Sequence, residues 1–264
     1  MFIEARARKI LILPHPLAPD NMKSSVPNVL KVKNLIRRFE SSDRSFTLRV
    51  PDFRVKAGSV NIVIGRSGCG KSTLLDMLGL ISYATAAEEF CIRNEQDRWV
   101  DIQQASRTDL ESLRRHRIGY ILQTGGLLSF LTVMENIKLP LQLTGKRHKK
   151  IAELMECLGI SSLKNTYPAK LSTGQRQRVA IARALAASPN IILADEPTGA
   201  LDPITAVSVR DLLLRSAVEQ GAAVLIVTHD AELFRSSADN VYGFDIQEKG
   251  NTVVSTLKRE GGKA

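Results

Sequence analysis

The residues with the clearest chemistry form a glycine-rich segment that ends in a lysine and two hydroxyl side chains. The segment fits the pattern GxxxxGK followed by Ser or Thr, and its members are Gly65, Arg66, Ser67, Gly68, Cys69, Gly70, Lys71, Ser72 and Thr73. Glycines let backbone N–H groups wrap around a phosphate chain, while the lysine neutralises the β and γ oxygens. We therefore predict a nucleotide phosphate site with Ser72 as a Mg²⁺ ligand. A ligand-free glycine-rich turn is the alternative, but the apolar strand Val60–Ile64 precedes the segment and helix-forming leucines follow it.

Two adjacent carboxylates follow a second apolar segment. Residues 190–198 are expected to form a buried strand that ends at Asp195 and Glu196. The carboxyl ends of parallel strands face the ligand crevice, so these acids should lie beside the phosphate loop. Asp195 would then hold the magnesium ion, and Glu196 would polarise or deprotonate the attacking water. Two surface acids before a turn are the alternative for this pair taken alone.

A histidine follows the next apolar strand. His229 comes directly after Ala223–Thr228, which places an imidazole at the same edge of the sheet. Such a ring can accept or donate a hydrogen bond near a γ-phosphate, although a histidine at a strand end is usually incidental. We predict Lys71, Glu196 and His229 as the catalytic side chains, His229 on the strength of its position.

Short apolar segments that alternate with helical patterns must position these residues. The strands are expected near residues 30–32, 46–50, 60–64, 118–122, 191–194 and 222–228. The last two are apolar throughout, as in a parallel sheet covered on both faces. Between Gln123 and Asn190 the pattern changes to helices only, near residues 132–139, 149–158 and 173–187. The sequence therefore predicts an α/β nucleotide-binding core with a helical subdomain, about residues 124–189, inserted into it.

The composition bounds the class of protein. The chain has 264 residues, 44% of them hydrophobic, which is enough for one large domain or two small ones and excludes a disulfide-stapled miniprotein. No run approaches the roughly 20 apolar residues of a membrane span, and the apolar patch at 10–13 is too short for a signal core. Three cysteines without metal-ligand spacing encode neither a disulfide framework nor a zinc site. We expect a cytosolic chain with reduced thiols.

The charge is concentrated at one end. The formal net charge is +10, and the first 38 residues hold eight Lys or Arg against two acids. Residues 1–28 contain four prolines and are expected to be an extension outside the core, followed by one domain at 29–258 and a tail at 259–264. The extension is either a solvated segment or a basic arm near lipid headgroups or nucleic acid. The charge run at 146–150 is interpreted as a solvated helix start, with nucleic-acid binding as the lesser alternative.

A further motif gives the sequence a resemblance to a known family. Leu171-Ser172-Thr173-Gly174-Gln175 and the helix after it look like the signature motif of ABC-type ATPases. The motif starts 24 residues before Asp195, and Gln123 lies 52 residues after Lys71, in the order that suits the family. The resemblance covers about residues 29–258. It implies a P-loop NTPase core with a mainly parallel sheet, an N-terminal antiparallel β subdomain and an inserted helical subdomain.

The resemblance also assigns residues that spacing alone does not. It implies nucleotide contacts from three residues of the signature motif, Ser172, Gly174 and Gln175. It also implies contacts from Asp202, in the segment after the two acids, and from Gln123, directly after the predicted strand at 118–122. Gln123 would also sense the magnesium ion. Phe39 would stack on adenine in place of the common tyrosine, with Phe46 as the rival ring. Thr173 departs from the family, because a glycine usually stands there, and residues 82–99 lack the usual Ser-Gly-Glu turn.

The mechanism that the resemblance implies needs ATP, Mg²⁺ and two protein partners. In the family, the signature loop of one subunit faces the γ-phosphate bound by another, which predicts a homodimer with ATP between its copies. ATP binding and hydrolysis by this dimer would drive a membrane permease. The chain would contact the permease through residues 123–131 and lie at the cytoplasmic face of the inner membrane. Within the family, residues 134–141 and 193–202 are most similar to the branch of lipoprotein-release and macrolide-export ATPases. The alternatives are a soluble ABC ATPase acting on nucleic acid or ribosomes and a scaffold that binds ATP without turnover. Nucleic acid is not among the partners that we predict.

Cys69 has two interpretations. Many side chains are accepted at its position in the loop, so we assign it no catalytic role. A helix N-terminus can lower a thiol pKa, however, and this gives the hypothesis that alkylation inactivates the ATPase and that bound ATP protects it.

Overall fold

The computed structural model describes residues 26–42, 44–146 and 151–262. The strands are β1 (Asn28–Glu40), β2 (Ser45–Lys56), β3 (Val60–Ile64), β4 (Glu89–Arg93), β5 (Trp99–Asp101), β6 (Ile118–Ile121), β7 (Ile191–Asp195), β8 (Ala223–Thr228), β9 (Asn240–Lys249) and β10 (Thr252–Gly261). The helices are α1 (Lys71–Leu78), α2 (Arg107–His116), α3 (Val133–Thr144), α4 (Ile151–Cys157), α5 (Thr173–Ala186), α6 (Pro203–Gln220) and α7 (Glu232–Arg235). None of the described helices is long and apolar enough to cross a membrane.

One continuous sheet organises the described chain. Its strand order is β5-β4-β1-β2-β10-β9-β3-β8-β7-β6. The half that contains β3, β8, β7 and β6 is parallel, and β9 joins β3 in parallel as well. The predicted mainly parallel core is confirmed, and its carboxyl edge lies at the ends of β3, β7 and β8.

The parallel strands are short and apolar because both of their faces are covered. Every residue of β7 and β8 is buried, and β3 is buried up to its last residue. On one face, alternate side chains of these strands pack with α3, α5 and α6; on the other, they pack with α1 and α2. Burial on both faces removes the polar alternation of a half-exposed strand.

The antiparallel half is built on two long strands. β1 pairs with β2 along their whole length, and β4 and β5 extend the sheet on the far side of β1. The segment at 82–99, which lacks the family's usual Ser-Gly-Glu turn, supplies β4 and the turn before β5. The C-terminal hairpin of β9 and β10 lies between the two halves, with β10 parallel to β2. The antiparallel β subdomain implied by the resemblance is present.

The helical subdomain lies between β6 and β7 in the chain. It contains α3, α4, α5 and two 3-10 turns, Ser161–Leu163 and Pro168–Lys170. Both α3 and α5 begin with capping boxes, in which a hydroxyl and a side chain three residues later satisfy each other's backbone N–H groups. The prediction of helices alone in this stretch is confirmed for its described residues, 124–146 and 151–189.

One predicted boundary differs from the structure, and two predicted segments lie outside the described residues. β10 continues to Gly261, three residues beyond the predicted domain end at 258, because it pairs with β9 as far as Val241. Residues 1–25 of the predicted extension and 147–150 of the basic run lie outside the described residues.

Candidate functional site

The phosphate loop connects β3 to α1 at the carboxyl edge of the sheet. Gly68 and Gly70 have φ values of 80° and 102°, a region that side-chain-bearing residues rarely adopt. The Lys71 ammonium folds back over the loop and donates to the carbonyl oxygens of Gly65 and Arg66, at 2.7 and 2.9 Å. The loop therefore holds a positive charge at its centre.

The loop is supported from behind by the C-terminal hairpin. The buried Ser255 hydroxyl, on β10, donates to the Cys69 carbonyl oxygen at 2.6 Å. The Cys69 side chain itself is only 2% exposed, and burial raises the pKa of its thiol. Burial thus acts against the activation that a helix N-terminus and Lys71 would give this thiol, and protection of Cys69 from alkylation by bound ATP stays a prediction. The Cys69 Sγ atom lies 2.6 Å from the position that a Cβ would take on Gly65, so the Cys69 side chain packs under the loop.

The first of the two carboxylates lies next to the loop. Asp195 ends β7 and accepts a hydrogen bond from the Ser72 hydroxyl. Burial raises the pKa of Asp195, and the negative charges of Glu196 and Asp76 act in the same direction, while the Ser72 bond and Lys71 oppose them. Ser72 and Asp195 are thus brought together as an oxygen pair of the kind that Mg²⁺ prefers.

The second carboxylate contacts the histidine. One Glu196 oxygen lies 2.8 Å from His229 Nδ1 and accepts from the His229 backbone N–H at 3.3 Å. Glu196 has a φ of 47°, an uncommon value for a residue with a side chain, and its backbone N–H donates to the Val227 carbonyl oxygen of β8. Its side chain is 10% exposed, whereas that of His229 is 72% exposed. The strained backbone thus directs a largely buried carboxylate toward an exposed imidazole.

These side chains share one cleft of about 670 Å³. It is lined by the loop residues, Asp195, Glu196, His229, Gln123 and two aromatic rings, those of Phe39 and Phe46. The ring centroids of Phe39 and Phe46 are 6.3 Å apart, and the Arg37 guanidinium stacks on Phe39 at 4.8 Å. Phe39 is 42% exposed, whereas Phe46 packs against the core and toward Gly70. Phe39 therefore presents the more accessible face.

The four residues implied by the signature motif and the segment after the acids are not among those that line this cleft. Ser172 caps α5: its hydroxyl accepts from the Gln175 N–H at 3.2 Å, and the Gln175 side-chain oxygen accepts from the Ser172 N–H at 2.9 Å. A Cβ on Gly174 would lie 3.1 Å from the Ala200 carbonyl oxygen. Asp202 caps α6 through Thr205. The described chain thus presents these groups on its surface, away from its own phosphate loop.

Two supporting residues were missed by sequence reasoning. Ser255 lies in a half-buried strand whose sequence carries no motif. Arg183, late in α5, donates to the carbonyl oxygens of Gly126 and Gly125 at 2.7 and 3.1 Å, which ties the signature helix to the loop after Gln123. Burial lowers the pKa of Arg183. A lone arginine within the otherwise apolar run 179–187 was a signal that could have identified it.

The donor set fits a magnesium nucleotide. Ser72 and Asp195 offer a hydroxyl and a carboxylate already in hydrogen-bond contact, and the exposed amide of Gln123 lines the same cleft. No group of three or more His, Cys, Asp or Glu side chains that could hold a metal by itself occurs among the described residues. Mg²⁺ commonly completes its shell with water and substrate phosphates, so one carboxylate and one hydroxyl suffice.

Comparison with known protein families gives one match that covers more than half of the chain. The family described as ABC transporter matches residues 48–199. Curated relatives include methionine import ATP-binding proteins from Burkholderia pseudomallei, 36% identical over 233 residues, Xylella fastidiosa, 39% over 222, and Mesorhizobium japonicum, 40% over 222. The alignments cover 85, 82 and 83% of this chain, but only 66, 64 and 58% of the relatives. The chain therefore spans less than two thirds of the length of the curated relatives that it matches.

Solved structures give the same result at the level of the fold. The dimeric structure of MJ0796, a bacterial ABC transporter cassette, superposes with a TM-score of 0.75 at 32% identity. The match covers 89% of this chain and all of that one. A second structure of MJ0796, a dimeric post-hydrolysis state bound to ADP and Pi, matches with a TM-score of 0.74 at 31% identity.

Proposed function

This chain belongs to the ABC transporter family and is an ABC-type ATPase, and we propose that it is the nucleotide-binding subunit that powers a separate membrane permease. The observation that carries the proposal is the convergence of the phosphate loop, Asp195, Glu196 and His229 on one cleft. A phosphate-binding loop alone would support ATP binding. A glutamate held against an exposed imidazole beside that loop supports hydrolysis as well.

Each side chain of the cleft has a role that follows from its position. The loop N–H groups and Lys71 bind the phosphates, and Phe39 stacks on the base. Glu196 is oriented by its contact with His229 and takes a proton from the attacking water. His229, exposed to solvent, is available to the γ-phosphate. Ser72, Asp195 and Gln123 would hold Mg²⁺, which when bound neutralises charge on the phosphate oxygens.

A second copy would complete the site. Ser172, Gly174, Gln175 and Asp202 lie at the starts of α5 and α6, outside their own cleft, where a helix N-terminus offers partial positive charge to an anion. In a symmetric pair, each copy would offer these groups to the triphosphate that the other holds. The related cassette MJ0796 is dimeric in its solved structure, which supports this arrangement here.

The permease would bind the surface that follows Gln123. Arg183 holds the loop at Gly125 and Gly126 against α5, so a change around Gln123 and a change at the signature helix can act on the same loop. The neighbouring Leu127 and Leu128 are the side chains expected to contact a cytoplasmic helix of the permease. We accordingly place the chain on the cytoplasmic face of the inner membrane, bound through that partner.

The direction of transport is the part of the sequence prediction that the relatives do not support. The residues at 134–141 and 193–202 indicate the lipoprotein-release and macrolide-export branch. The curated relatives are instead named as methionine import proteins, at 36 to 40% identity. The transporter assignment is therefore retained without export as its direction. The cargo would be set by the permease.

Hydrolysis by the Glu196→Gln variant tests the proposal. The amide keeps the size of the side chain but cannot accept the water proton, so turnover of Mg-ATP by the purified chain should fall about 100-fold while ATP still binds. Glu248→Gln, at an exposed glutamate near the hairpin turn of β9 and β10, is the matched control and should hydrolyse like the wild type. Equal turnover by wild type and Glu196→Gln would exclude the proposed role of Glu196, and absence of turnover in the wild type would exclude an ATPase.

A further inference from the structure

The start of α5 carries a bridge that the family pattern does not predict. Thr173 stands where a glycine is usual, and its Oγ1 accepts from Arg176 Nη2 at 3.1 Å. The other terminal nitrogen of the same guanidinium, Nη1, donates to the Leu171 carbonyl oxygen at 2.6 Å. One planar side chain therefore joins the residue before Ser172 to the residue after it.

Helix stability does not explain this arrangement. A positive charge near a helix N-terminus opposes the helix dipole, so Arg176 is electrostatically unfavourable there. In the part of the chain that the structure describes, no carboxylate forms an ion pair with it; its partners are the carbonyl oxygen of Leu171 and the hydroxyl of Thr173. The rigid fork of a guanidinium matches two acceptors at fixed spacing, which is a geometric function.

The bridge fixes the backbone on both sides of Ser172. Leu171 is buried and anchors one end, while Thr173 is the first residue of α5 and anchors the other. Between them Ser172 is exposed, and its oxygen accepts from the Gln175 N–H. Its O–H has no acceptor among the residues that the structure describes and can donate to an acceptor on a second copy. A glycine at 173 would provide no acceptor for Arg176 and would allow the backbone more conformations.

We propose that Thr173 and Arg176 are positioning residues, which hold Ser172 and the N–H groups of α5 in the orientation that contacts ATP on a second copy. This inference rests on the proposed function. Among the described residues, the pair neither lines the chain's own cleft nor hydrogen-bonds to the phosphate loop. Its loss should therefore leave ATP binding by a single copy unchanged and weaken only the steps that need two copies.

The test uses the purified full chain and three substitutions at one position. Thr173→Val keeps the shape and removes the acceptor, Thr173→Gly restores the residue usual in the family, and Thr173→Ser keeps the hydroxyl. We expect Thr173→Val and Thr173→Gly to lower maximal Mg-ATP hydrolysis about tenfold, which corresponds to about 1.4 kcal/mol. Thr173→Ser should retain the wild-type rate, and ATP binding by the dilute single chain should stay within about twofold for all three.

Two further measurements separate positioning from a general structural role. In a Glu196→Gln background, Thr173→Val should weaken Mg-ATP-driven dimerisation, followed by sedimentation. Thr173→Val combined with Arg176→Ala should lose no more than the worse single variant, since the two act through one bridge. Wild-type rates in both Thr173→Val and Thr173→Gly would overturn the inference, and so would an equal loss of ATP binding by the single chain. If the wild type fails to hydrolyse ATP, the proposed function fails instead, and the dimerisation series still decides the role of the bridge.

Discussion

The residues that line the cleft differ in their exposure to solvent, and Asp195 is a buried one. Its carboxylate lies at the end of a fully buried strand, next to the charges of Glu196 and Asp76. Burial raises its pKa, so the ionised form at neutral pH destabilises the nucleotide-free protein, and this cost disappears as the pH falls through the raised pKa. The site accepts lower stability in return for a charge that a metal can use.

The Asp195→Asn substitution tests whether this buried charge lowers the stability of the protein. The amide has the same shape, keeps an acceptor for Ser72 and removes the charge. We expect a higher Tm than wild type at neutral pH without nucleotide, a difference that shrinks in acid, and loss of Mg-dependent hydrolysis. Thermal unfolding across pH measures the first effect. A lower Tm at neutral pH would contradict the cost assigned to the buried charge.

The two rings of the cleft should have separable functions. Phe39 is the more exposed and has Arg37 behind it, whereas Phe46 packs against the core beside Gly70. Phe39→Ala should weaken ATP binding about tenfold without lowering Tm, because a base stacked on an aromatic ring contributes about 1 to 3 kcal/mol. Phe39→Tyr is the control and should bind like wild type. Phe46→Ala should lower Tm, as large-to-small core substitutions do. If Phe46→Ala alone weakened binding, the assignment of the rings would be reversed.

At the scale of elements, two helices begin with the same local chemistry but different surroundings. Ser106 is the N-cap residue of α2 and Ser172 that of α5, each in a complete capping box. Replacing either serine with alanine removes a hydrogen bond to an otherwise unsatisfied N–H group. The pair therefore separates the stability of a helix start from its function.

We expect Ser106→Ala and Ser172→Ala each to cost about 1 kcal/mol of stability, measured by urea unfolding. Only Ser172→Ala should also reduce hydrolysis, because only the start of α5 is proposed to contact ATP on a second copy. Equal hydrolysis by the two variants would remove the functional role of Ser172.

Elements differed in how well the sequence predicted them. The strands β3, β7 and β8 were predictable because burial on both faces makes them apolar throughout, and α3 and α5 because helical periodicity coincides with a hydroxyl at the helix start. β9 and β10 were missed because they are half exposed and their pairing depends on distant residues. The cleft was largely predictable, since motifs fix its residue types. Ser255 and Arg183 act through partners far away in sequence, which motif reasoning did not supply. The Thr173 to Arg176 bridge is local, but it depends on a side-chain conformation that the residue types do not specify.

At the scale of the whole molecule, the chain presents two half-sites. Its cleft contains Lys71, and its signature serine, Ser172, lies outside that cleft. If two copies share each ATP, a chain with a defective loop and a chain with a defective signature should complement each other. In such a mixed pair one site combines both defects, and the other combines two intact halves.

Mixing therefore gives a sharp prediction. Lys71→Ala and Ser172→Ala chains should each hydrolyse ATP poorly alone, whereas an equimolar mixture should recover up to about a quarter of the wild-type rate, because half the pairs are mixed and each has one intact site. Each variant alone, at the same total protein concentration as the mixture, is the control. A mixture without any gain would show that each chain completes its own site.

The hydrogen bond from Ser255 to Cys69 has a consequence for how this protein is made. Every side chain of the cleft leaves the ribosome before β10 does, and the Ser45 and Thr252 hydroxyls that meet where β2 and β10 pair are 207 residues apart in sequence. Until β10 has been synthesised, β2 exposes an unpaired edge and the nucleotide loop lacks its rear support. A nascent chain that stalls before β10 is thus expected to be a client for chaperones and unable to capture ATP.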